Sequence, residues 1–163
     1  MINDLLKCKN GSLVSIPSVP VVAPAAINRL VTLSLNTKDF CNPCIKFEFS
    51  TNLVTNLGIV EEVQESVTVT FQLYKLCRGE ITPVAIGSSG VYSLSNLSAE
   101  FELVTANFAS FIICDCDCDC DRDTDTCCSY YVQASTIGTG TASIIFNNPT
   151  LSALVVDNQR HCC

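Results

Sequence analysis

The chain predicts an all-β fold: an antiparallel β-sandwich or jelly roll with an extended N-terminal arm. Apolar and polar residues alternate over several stretches, as strands with one buried face require. Glycine, asparagine and proline punctuate the chain between them, and no amphipathic helix longer than two turns intervenes.

Residues 1–26 read as the arm. Residues 12–24 are apolar and extended, and Pro17, Pro20 and Pro24 lack the amide hydrogen that a central strand must donate. The valine, isoleucine and leucine side chains there are poorly hydrated unless they lie on something.

Residues 27–158 read as the sandwich. Segments 30–36, 45–50 and 66–76 alternate most clearly. Shorter candidates follow at 81–86, 90–94, 100–105, 108–113, 129–137, 141–146 and 151–156, about ten strands in all. Gly79, Pro83, Gly87, Gly90, Asn96, Asn107, Gly138, Gly140 and the run Asn147-Asn148-Pro149 mark the expected turns. Residues 60–65 have room for one helical turn. Residues 159–163 form a cysteine-containing C-terminal tail.

Composition narrows the function. At 163 residues the chain can bury about 70% of its unfolded surface, so it needs no disulfides merely to fold. Its twelve cysteines therefore call for another explanation. A formal charge of -7 supplies no basic patch, which argues against nucleic acid as a partner. Charged residues make up only 15% and hydrophobic ones 48%, a balance that favours self-association. No secretory leader is expected at the N-terminus, and prolines interrupt the one stretch apolar enough to be considered as a membrane span. Many cysteines suggest an oxidising destination nonetheless. Synthesis in the cytosol followed by oxidation on lysis reconciles the two, as does an intracellular metal protein or a leader already removed.

Six cysteines fall between residues 114 and 128: Cys114, Cys116, Cys118, Cys120, Cys127 and Cys128. Adjacent residues have Cα atoms about 3.8 Å apart, shorter than disulfides prefer, so Cys127 and Cys128 are poor mutual partners, as are Cys162 and Cys163. In an extended chain the alternating run puts its cysteines on one side and its aspartates on the other, as a solvated acidic face. Those sulfurs can bond to Cys127 or Cys128, to Cys41 or Cys44, or to a neighbouring chain. As the alternative reading, the same six cysteines are thiolate ligands for zinc or copper.

Cys41-Asn-Pro-Cys44 has thiol–disulfide spacing, but a strand rather than a helix follows it, so a structural turn pair is the better reading. Cys77 completes the disulfide candidates in the body. Cys8, Cys162 and Cys163 sit near the chain ends, where ordering costs about 1 to 2 kcal/mol per residue, and are better placed to reach a neighbour than to staple their own domain. Catalysis has little support: the one histidine, His161, lies in the tail, and no phosphate loop, nucleophile elbow or metalloprotease helix is present. No catalytic residue and no cofactor is expected.

The proline-interrupted leader, CNPCIKFEFS at 41–50, FQLYKLC at 71–77, and a Cys-Asp-Cys stretch before CCSYYV at 127–132 together resemble an uncharacterised cysteine-rich domain family of spore-forming Firmicutes. The likeness covers about residues 12–156. In architecture the chain is similar to bacterial endospore appendage subunits. That resemblance implies a homopolymer forming a helical, pilus-like filament, augmentation of one subunit's sheet by the next, and Cys8 as a connector cysteine bonded to a neighbour. It also implies a spore-surface location reached without a signal peptide, and a spore-surface anchor protein as a further partner. This leader holds one cysteine where such connectors carry a pair, and the pair stands instead at Cys162 and Cys163. A carbohydrate-binding adhesin is a third reading, weakened by the absence of tryptophan.

Overall fold

Every second residue from Pro43 to Leu57 is buried, so this strand presents one face to a core along its whole length. The computed structural model describes residues 4–17, 19, 25–40, 43–58, 65–96, 103–116, 127–138 and 142–157. They form β1 (Asp4–Asn10), β2 (Val14–Ile16), β3 (Ala26–Asn36), β4 (Pro43–Leu57), β5 (Glu65–Cys77), β6 (Val84–Asn96), β7 (Leu103–Cys116), β8 (Cys127–Gly138) and β9 (Ser143–Asp157).

Pairing follows a nested plan. β5 pairs with β6, β4 with β7, β3 with β8, and β1 with β9, all antiparallel, as if one long hairpin had been folded at its middle. Two further pairings, β4 with β9 and β5 with β8, join these ribbons into sheets of order β1-β9-β4-β7 and β3-β8-β5-β6. That order is the jelly roll, and the two sheets pack as an antiparallel sandwich.

The core lies between the sheets. Phe47, Phe49, Leu53, Leu57, Phe146 and Leu151 from the first sheet meet Val67, Val69, Leu73, Tyr130 and Val132 from the second. Aromatic rings bridge them: Phe47 to Tyr130 at 4.5 Å and Phe49 to Phe71 at 5.6 Å between centroids.

Nine strands are described where about ten shorter ones were expected, because several turn residues do not end strands. Candidates 81–86 and 90–94 merge into β6, which begins only at Val84; the described parts of 100–105 and 108–113 fall on β7, which is described from Leu103, and those of 141–146 and 151–156 on β9, which begins at Ser143. Bulges absorb two of the breaks. The β4–β9 register shifts between Ser50 and Asn52, where Asn148 takes φ 51°, and the β5–β6 register shifts between Phe71 and Leu73, near Gly87 at φ 65°. A Cβ on Gly87 would come within 2.8 Å of Ile113 Cγ2. Asn107 stays within β7 and donates its side-chain amide to Tyr92 Oη at 2.8 Å.

The segment expected as an arm supplies strands. β1 and β2 both pair with β9 of the same chain, because Ile16 and Val19, 7% and 1% exposed, bury against the core and Leu5 and Val14 pack beside it. Glu65 opens β5, while the rest of the expected helical turn, Gly140, the tail 159–163 and the cysteines at 41, 118, 120, 162 and 163 lie outside the described residues.

Candidate assembly edges and cysteine sites

Strand register brings two pairs of cysteines together. Cys44 on β4 lies opposite Cys116 on β7 and bonds to it; Cys77 on β5 lies opposite Cys128 on β8 and bonds to it. Each bridge ties neighbouring strands of one sheet. They point in opposite directions relative to the core. Cys128 is 7% exposed and belongs to the core cluster, with Cys77 packed against it, whereas Cys116 is exposed on the outer face.

These bonds revise three expectations. Cys44 takes Cys116 as its partner rather than Cys41, so the C-x-x-C spacing makes no local pair. Cys116 and Cys128 are committed to disulfides, which removes them from the six-thiolate metal set; among the described residues no group of three or more His, Cys, Asp or Glu is placed to hold a metal. The aspartates of the run are not all solvated. Asp115 faces the opposite sheet, where its Oδ2 lies 3.2 Å from Lys75 Nζ and accepts the Tyr130 hydroxyl at 3.4 Å. Burial of Ile113 sets the parity: Ile113 and Asp115 point in, and Ile112, Cys114 and Cys116 point out.

Three free, exposed cysteines remain among the described residues: Cys8, Cys114 and Cys127. Cys8 stands on β1 opposite Ser152, and Cys114 stands on β7 opposite Lys46. Ser152 and Lys46 alternate with the buried residues of their strands, so both thiols face the outside of the same sheet from its two opposite edges. Cys127 is exposed on the other sheet, opposite Asn36.

The two edges differ in chemistry. β7 is 14 residues long with no charge, proline or glycine before Asp115, and its outer row exposes Val104, Phe108 and Ile112 at 60%, 66% and 58%. Among the described residues no strand pairs with its far side. Such an edge is a template for another strand. β1 carries Lys7 and Lys9, the former donating to the Ser34 carbonyl at 3.2 Å, beside outward Leu6 at 70% exposure. Inward charges of this kind discourage indiscriminate pairing.

On the outer face of the second sheet, Arg29 lies 3.9 Å over the Tyr131 ring, which stacks on Tyr74 at 5.3 Å. Tyr131 is only 5% exposed, so this stack is covered rather than open to a sugar ring. Among the described residues no helix is long and apolar enough to cross a membrane.

These features define an antiparallel jelly roll clasped by two cross-strand disulfides, in which, among the described residues, no strand pairs with the outer edge of β1 or of β7. The chain belongs to the family described as a domain of unknown function, DUF4489, whose profile matches residues 2–156. No curated protein matches it. Among solved structures it is similar to a chain from infectious bursal disease virus Gx strain, with TM-score 0.46 and 9% identity over 97% of this chain and 38% of that one. The VP2 subviral particle of the same virus gives TM-score 0.44 and 9% identity over 94% of this chain and 36% of that one. Eiger TNF from S. frugiperda gives TM-score 0.42 and 10% identity over 98% of each chain. The chain spans little more than a third of the two viral chains.

Proposed function

We propose that the protein is a structural subunit of a self-assembling extracellular filament, an endospore appendage or pilus-like fibre, rather than an enzyme. Subunits join by β-sheet augmentation, the N-terminal segment taking part through the outer edge of β1 while it stays paired with β9 of its own chain, and inter-subunit disulfides involving Cys8 and the tail cysteines Cys162 and Cys163 lock the polymer. Its partners are further copies of itself and an anchor protein on the spore surface. Its location is extracellular, at the spore surface, where the remaining thiols oxidise.

The observation that carries this reading is the edge of β7: 14 residues, uncharged as far as Asp115, with Phe108 exposed at its centre. A soluble monomer ordinarily blunts such an edge with lysine, proline or a bulge. Free thiols at the periphery support covalent locking, and so does the closure of four other cysteines within the domain. When two different edges meet, the contact is heterologous and can propagate.

Electron microscopy of the purified, air-oxidised chain, with boiling in detergent without reductant, tests the reading. Filaments and a high-molecular-weight ladder that collapses on reduction are expected, and Cys8→Ser should release shorter species. Dispersed particles that run wholly as monomer without reductant refute it.

A further inference from the structure

We infer that β1 of one copy pairs with β7 of the next, and that the junction is sealed by a disulfide between Cys8 and Cys114. This deepens the self-assembly reading and rests on it.

Strand polarity comes first. β1, β9, β4 and β7 are successively antiparallel, so β1 and β7 run in opposite directions at the two margins of the sheet. A second copy in the same orientation therefore brings its β7 antiparallel to β1 of the first, and the sheet continues without inversion. Its faces are then continuous too.

Register follows from the sulfurs. Across one sheet the opposed residues Leu6, Leu154, Lys46 and Cys114 form one row, and Cys8, Ser152, Glu48 and Ile112 form the next row on the same face. A shift by an odd number of residues would turn every side chain to the wrong face, so allowed shifts are even. A shift of two residues, about 6.6 Å, sets Cys8 opposite Cys114 of the next copy in one direction and opposite Ser110 in the other, and only the first can form a disulfide. Directly opposed residues have Cα atoms about 4.5 to 5.5 Å apart, within the range a disulfide spans.

Charge agrees with that register. It places Lys7 opposite Asp115 of the next copy, whereas pairing two β1 edges would bring lysines together. On the outward face it sets Leu6 opposite Cys116 and Asn10 opposite Ile112, on either side of the sulfur pair.

The bond forms by oxidation. Two thiols lose two protons and two electrons to dissolved dioxygen, which becomes hydrogen peroxide, and one S–S bond joins the chains.

Isotopically light and heavy full-length chains, mixed reduced and then oxidised together in air, test this assignment. The product is digested with pepsin at acid pH, where thiolate exchange is slow. Mass spectrometry should find light–heavy hybrids of the peptides bearing Cys8 and Cys114, and Cys114→Ser should abolish Cys8 crosslinking while Cys44–Cys116 persists. Same-label pairs alone, Cys8 joined to a different cysteine, or an unchanged ladder in Cys114→Ser each overturn it. Filaments whose Cys8 is bonded elsewhere refute this junction alone, whereas absence of any polymer refutes the self-assembly reading as well.

Discussion

Cys44 and Cys116 stand opposite each other on β4 and β7, their Cα atoms 4.0 Å apart, although 72 residues separate them in sequence. Cys77 and Cys128 repeat the relationship on β5 and β8 across 51 residues. The bridged loops interlock, since Cys77 lies between Cys44 and Cys116 while Cys128 lies beyond them. Removing either bridge as a double alanine variant should cost about 2 to 4 kcal/mol, read as a fall in the guanidinium midpoint. The Cys77/Cys128 variant should lose more, because it also empties volume in the core.

The ion pair between the sheets should behave as a partly buried one. Lys75 and Asp115 side chains are 16% and 15% exposed. Asp115→Ala should destabilise the domain by about 2 kcal/mol, since it removes the partly buried carboxylate that both the Lys75 ammonium and the Tyr130 hydroxyl contact. Tyr130→Phe should cost about 1 kcal/mol. A double-mutant cycle on Lys75 and Asp115 should return a clear coupling; additive losses would show that the pair does not interact.

Native labelling separates the sulfurs. In freshly purified, unassembled chain, iodoacetamide should modify Cys8, Cys114 and Cys127 and spare Cys44, Cys77, Cys116 and Cys128 until a reductant is added. Peptide mapping reads the result directly. Labelling of Cys128 without reductant would contradict the bridge to Cys77.

Two phenylalanines should part company. Phe47 is fully buried against Tyr130, and Phe47→Ala should cost about 3 to 5 kcal/mol of stability. Phe108 is 66% exposed, so Phe108→Lys should leave the monomer's unfolding midpoint within about 0.5 kcal/mol of the parent. Ile112→Lys, an outward change at 58% exposure on the stretch of β7 that faces β1 of the next copy, should by contrast suppress polymerisation, as lysine does at natural sheet edges. Sedimentation of the oxidised variant measures this.

Much of the domain was legible from alternation. The inward residues of β4 and β5 follow from a period of two, and the turn at Gly79, φ 90°, follows from turn chemistry. The merged strands were not legible, because a bulge at Asn148 or Gly87 uses the residues that elsewhere make a turn. Asp115 was misread as solvated although a signal existed: the parity of Phe111 and Ile113, carried two residues further, points it inward.

What the linear order of residues determines by itself is local: which stretches are extended, which face of each is apolar, and that sulfur is concentrated near 114–128. Which cysteines meet, which acidic group is held between sheets and which edges stay open were decided only by tertiary structure. These depend on register between strands 50 or more residues apart in sequence. A one-residue slip reverses every facing, and only the packing of the shared core forbids it.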